Sequence, residues 1–105
     1  MINSHELEGR FHILMRSIYD RAKAETGYNA LRFKKMLETH GGVQTAKILL
    51  QSPTESEGFV ELYGRNRLDL TVEAQLLSHD EYWSLFTETE LDSARKWLKK
   101  YEYKY

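Results

Sequence analysis

The chain has 105 residues, of which 41% are hydrophobic and 30% charged, and its net charge is −1. This is the length of one domain with ordinary globular composition, so wholesale disorder is excluded, as is a global field that would draw in nucleic acid or membrane. Cysteine is absent, which removes disulfides, thiol nucleophiles and thiolate zinc sites.

A chain this short buries only about 60–70% of its unfolded surface, so one core is expected without a large internal cavity. The polar opening Met1-Ile2-Asn3-Ser4-His5-Glu6 is unlike a signal peptide. The longest aliphatic run, Ile48-Leu49-Leu50, is far below the ~20 residues that span a bilayer. A cytoplasmic protein is the expectation.

Helix signals come first in chain order. Asn3 with Glu6 makes a capping box, and Leu7, Phe11, Leu14, Ile18 and Ala22 recur at spacings of three and four, with Met15 beside them. The spacing predicts an amphipathic helix over about 4–25, stopped by Gly27. A second helix is predicted over about 29–40, burying Leu31, Phe33, Met36 and Leu37 and ending at Gly41-Gly42. A third, about 43–51, buries Val43, Ala46, Ile48, Leu49 and Leu50 and stops before Ser52-Pro53.

The loop Pro53-Thr54-Glu55-Ser56 leads to a short helix over about 57–63, carrying Phe59, Val60, Leu62 and Tyr63 and ending at Gly64. Another starts near Asp69, which is placed to cap it, and buries Leu70, Val72, Ala74, Leu76 and Leu77. Two more capping boxes follow. Ser78 with Glu81 opens one turn holding Tyr82 and Trp83. Thr87 with Glu90 opens a last helix with Leu91, Ala94, Leu98 and Tyr101 on one face and Trp97 alongside. No stretch alternates long enough for a strand. The expected fold is all-α, a compact single domain (1–105) of six or seven short helices.

Charge is segregated along the chain. Residues 1–50 carry eight bases and five acids, 51–93 two bases and ten acids, and 94–105 five bases and one acid. Helix-dipole placement accounts for much of this, with acids in first turns and bases in last turns. The acidic middle segment also makes a surface that a partner or a second copy of the chain can use.

Five constellations bear on function. His5, Glu8 and His12 fall near one face of the first helix and supply metal-ligand types, although at a spacing other than H-E-x-x-H. They read best as surface residues, so no metal and no cofactor is expected. Gly41-Gly42-Val43 with Thr45 and Lys47 lacks the Walker spacing and reads as a turn between helices. Glu57 and Glu61 lie one turn apart with no second acid–base group in view. Arg65, Arg67, Asp69 and Glu73 form the densest polar cluster, suited to pinning a helical corner or to binding a partner, with Arg67 paired to Asp69, Glu73 or an acid of the preceding helix. Lastly, Arg95, Lys96, Lys99 and Lys100 interleave with Trp97, Tyr101, Tyr103 and Tyr105, and with Arg32, Lys34 and Lys35 they form the candidate nucleic-acid surface.

The strings Gly41–Leu50, Glu57–Leu62, Arg67–Ala74 and Leu85–Leu98 carry a resemblance over about 33–103. They resemble a small bacterial family of all-helical proteins with no established activity, most specifically in R-L-D-L-T-V-E-A. The resemblance implies a short helical module, alone or at the end of a longer chain, near mobile-element or phage-defence genes. It brings no catalytic residues.

The expected function is therefore a non-enzymatic helical protein-interaction module, an accessory or regulatory subunit of a bacterial or phage nucleic-acid-processing or defence system. The partner would meet the acidic middle segment or the Arg65–Glu73 corner. The alternative is a nucleic-acid-binding, helix-turn-helix-like module using the basic C-terminal helix. A small metal-dependent enzyme built on His5, Glu8 and His12 is the minor alternative. Seven tyrosines leave a homodimer open.

Overall fold

A computed structural model describes residues 2–105. Helix α1 (Ser4–Thr26) opens where the Asn3 side chain accepts the Glu6 amide at 2.8 Å. It closes on Gly27, whose φ of +79° is left-handed and whose N–H reaches the Lys23 carbonyl. The predicted stripe points inward: Phe11, Met15, Ile18 and Ala22 are buried.

The two helices expected over 29–51 are one kinked helix, α2 (Leu31–Leu50). Gly41 alone takes the special conformation (φ 79°, ψ 169°), so the chain bends there and resumes instead of stopping. Gly42 has ordinary backbone and a different task. A β-carbon on it would sit 2.6 Å from the His12 Cα, so its bare surface lets α1 and α2 close together. Leu31, placed in the core by periodicity, is exposed, and Ile48 is partly so.

Helix α3 (Glu57–Gly64) is capped by Ser56, which accepts the Phe59 amide at 3.1 Å. Gly64 is helical; the stop comes two residues later at Asn66 in the left-handed region (φ 59°). The Asn66 and Arg67 amides then bond back to the Tyr63 and Leu62 carbonyls, a Schellman closure. Phe59 and Leu62 are buried while Val60 and Tyr63 face outward.

Asp69 does not cap the next helix. It lies in a 3₁₀ turn, Leu68–Leu70, and Thr71 caps α4 (Val72–Leu77) by accepting the Ala74 amide at 3.1 Å. Nor does Ser78 form a box with Glu81. Its hydroxyl bonds the Gln75 carbonyl, and Asp80–Leu85 is a 3₁₀ stretch without a side-chain cap. The Trp83 indole N–H anchors that stretch to the Leu76 carbonyl at 2.8 Å.

Helix α5 (Glu88–Lys100) has both halves of its Thr87–Glu90 capping box. It closes on Glu102 (φ 59°), with the Tyr103 amide on the Leu98 carbonyl at 2.9 Å. Among the described residues there is no strand, and the fold is all-α as expected. One core joins all five helices: Phe11 and Met15 of α1, Leu37, Ala46 and Leu50 of α2, Phe59 of α3, Leu76 of α4, and Leu91, Ala94 and Leu98 of α5. Phe11 stands edge-on to Tyr82 and Phe86 at 5.4 and 5.2 Å, which fixes the 3₁₀ stretch over α1. No helix among the described residues is long and apolar enough to cross a membrane.

Candidate functional site

The Schellman closure of α3 aims Arg67 back at α1. Its guanidinium meets Glu25 at 2.6 Å and both oxygens of Asp69 at 3.0 and 3.1 Å, and Glu25 also takes Arg21 at 2.8 Å. Arg65 donates to the Thr26 carbonyl at 2.8 Å, pairs with Glu61 at 3.5 Å and lies over the Tyr28 ring. The Arg21 and Arg67 hydrogen bonds hold the Glu25 carboxyl well below its ordinary range, at about 2. Arg65, Arg67 and Asp69 thus come together, and they clamp the end of α1 to the corner after α3. The carboxylate that completes the clamp, Glu25, was not singled out by sequence spacing because it lies 42 residues from Arg67.

Glu73 is not in that cluster. It sits in the first turn of α4, only 3% exposed, with no ion pair and no side-chain partner from another residue among the described residues. Burial pushes its carboxyl up to about 7, with its own backbone N–H pulling the other way. The sequence did carry a signal. Glu73 is three residues from both Leu70 and Leu76, on the apolar face of its turn.

Glu73 lines a cleft of about 410 Å³ between α1, α2, α3 and the Leu70–Glu73 corner. Apolar walls come from Ile18 and Tyr19, Phe33 and Met36, Phe59 and Leu62, and Val72. The single core was expected to leave no large internal cavity; this space is a cleft at the junction of four elements, in the size range of ligand pockets. Its charged lining is Glu55, Glu57 and Glu73 against Arg32. Arg32 pairs with Glu57 at 3.6 Å on the exposed rim, whereas Glu55 is taken by the Tyr101 hydroxyl and by Lys100 at 3.7 Å. The Tyr101 hydrogen bond, followed by backbone and Lys100 interactions, lowers the Glu55 pKa. Glu57 and Glu61, a turn apart in sequence, go to different arginines.

Several of the candidate nucleic-acid residues are already engaged. Arg95 meets Asp92 at 2.7 Å and Glu88 at 3.4 Å and lies over Trp83. Lys34 lies over Tyr19, and Lys96 and Lys100 over Trp97. Lys35 and Lys99 are exposed. The first-helix metal candidates, His5, Glu8 and His12, border a surface hollow with His40 and the Gly41 kink. Among the described residues no three acidic or imidazole groups are arranged to hold a metal ion.

Lys47 and Thr45, which sequence reading placed after a glycine turn, face inward. Lys47 meets Glu90 at 2.8 Å, and Gln51 donates to the same carboxylate at 2.9 Å. Burial raises the Glu90 carboxyl, but Lys47, the Thr87 amide and Gln51 outweigh it and leave the pKa lowered. The Thr45 hydroxyl is fully buried with no partner among the described residues.

Comparison with protein-family models, curated proteins and solved structures gives no match to this chain.

Proposed function

We infer that this chain is a protein-interaction module whose docking site is the cleft of α1 to α4. The observation that carries the reading is the cleft itself: apolar walls enclosing about 410 Å³, with three carboxylates and one guanidinium in its lining. All three carboxylates belong to the acidic middle segment. Anchoring groups of protein partners characteristically fill such pockets and dominate binding energy. Arg65, Arg67 and Asp69 do not line the cleft, and the two guanidiniums are spent on Glu25, Asp69, Glu61 and the Thr26 carbonyl.

The test is affinity capture with the tagged wild-type chain and with Ile48→Glu, each with and without nuclease. Ile48 lines the cleft and is 38% exposed, so the substitution charges the mouth without cutting into the core. A stoichiometric protein that survives nuclease and is lost with Ile48→Glu is the expected result. Retention by Ile48→Glu would overturn the cleft as the docking site. Loss on nuclease, together with loss on Lys96→Glu/Lys99→Glu, would replace it with the nucleic-acid reading.

A further inference from the structure

Resting on the cleft as the docking site, we propose that its occupant is an apolar segment of a partner protein carrying a lysine, whose ammonium meets the Glu73 carboxylate. Of the acids lining the cleft, Glu57 is answered by Arg32 and Glu55 by Lys100 and Tyr101. Glu73 alone is answered by no cation of the described chain, and it is the most deeply buried of the three. A buried carboxylate with no counter-charge is costly to ionise, and an incoming cation offsets that cost far better than a neutral or anionic group does.

The walls choose the kind of cation. Tyr19, Phe33, Phe59, Leu62 and Val72 suit an apolar stem, and lysine carries its compact charge at the end of four methylenes. A guanidinium is a poorer match because its fork calls for two free carboxylate oxygens in one plane, and Glu73 already accepts its own amide. The aromatic rings add cation–π attraction along the way in. Charge complementarity therefore selects a cationic occupant, and wall chemistry selects lysine.

The test uses two probe sets followed by NMR chemical shifts of the cleft residues. The first is 4-phenylbutylamine, 4-phenylbutanol and 4-phenylbutyrate, which share a body and differ in head group. The second is the capped tripeptide phenylalanine–lysine–phenylalanine and its norleucine counterpart. For probes this small, millimolar dissociation constants are expected. The proposal expects each amine to bind about tenfold or more tightly than its neutral counterpart, the butyrate to bind weakest, and Glu73→Gln to erase the amine preference.

Ile48→Trp, on the α2 wall of the cleft, is the second variant and leaves Glu73 in place. It should weaken amine and alcohol alike while keeping their ratio, and amine binding untouched by it would place the site elsewhere and overturn the proposal. Equal binding of amine and alcohol overturns the lysine while leaving the cleft reading intact. No shift at cleft residues with any probe overturns both. An amine preference in the phenylbutyl set but not the peptide set overturns the protein segment in favour of a small amine. A dimer in sedimentation that 4-phenylbutylamine dissociates would overturn a separate partner in favour of a second copy.

Discussion

Gly42 faces the backbone of His12 so closely that any β-carbon on it would lie 2.6 Å from the His12 Cα. The contact is to backbone, so no rotamer change relieves it. Gly42→Ala must push α1 from α2 and is expected to destabilise by about 1–3 kcal/mol or more. Gly9, in the interior of α1, has nothing within 4 Å of its would-be β-carbon. Gly9→Ala should stabilise by about 0.5–1 kcal/mol through helix propensity. Urea midpoints of the pair check this, and equal signs would refute it.

The buried carboxyl of Glu73 makes stability depend on pH in a defined direction. Its folded pKa, about 7, lies above the ordinary value of 4.5, so between these the folded state holds more protons than the unfolded. Stability from this group is greatest below about 4.5 and falls as pH rises to about 7, by up to about 3 kcal/mol. The stability difference between Glu73→Gln and wild type, measured by urea unfolding at successive pH values, should grow over that window. A flat difference would show the carboxyl to be solvated.

The Glu25 carboxyl gives the opposite case. Held at about 2 by Arg21 and Arg67, it contributes stability above the ordinary carboxylate range and loses it only as pH falls toward 2. In Arg67→Met one of the two guanidiniums is gone, so the Glu25 carboxyl, followed by NMR, should titrate at higher pH. An unchanged titration would mean that Arg21 alone sets it.

Thr45 carries a buried hydroxyl with no partner among the described residues. A helical threonine usually bonds the carbonyl four residues back, which here belongs to Gly41, the kink residue. Thr45→Val keeps the shape and removes the unsatisfied group, so it should raise stability by about 1 kcal/mol in thermal unfolding. A loss would point to a hydrogen bond formed in solution.

What the sequence made legible followed from short-range chemistry. Gly27, Thr87 and Glu90 act as their types and spacing predict, and Asn3 caps α1 without the Glu6 half of the expected box, because a cap needs only the few residues beside it. The failures share a cause. Asp69 and Ser78 are good cap types, yet Thr71 caps instead of Asp69, and Ser78 turns back to Gln75 while Asp80–Leu85 winds as a 3₁₀ segment pinned by Trp83 to Leu76 and by Tyr82 to Phe11. Leu31 satisfied the helical period but no neighbour covers it.

The site was legible in part. Arg65, Arg67 and Asp69 do gather, but the choice of Glu25 over Glu73 as the partner of Arg67 depends on where α1 ends in space, which local spacing does not encode. The cleft joins residues 18 to 73, and its composition from four elements is a tertiary fact.

Glu90 is one carboxylate serving two purposes: one oxygen accepts the Thr87 amide at 2.9 Å and the Lys47 ammonium, while the other accepts Gln51. The first turn of α5 and the docking of α5 on α2 are thus written on the same two oxygens. Neither can form at full strength without the other, so fraying at the start of α5 is thermodynamically coupled to its departure from α2. The Thr87 amide should then exchange with solvent at the slow rate of whole-molecule opening, although it stands at a helix end where exchange is ordinarily fast.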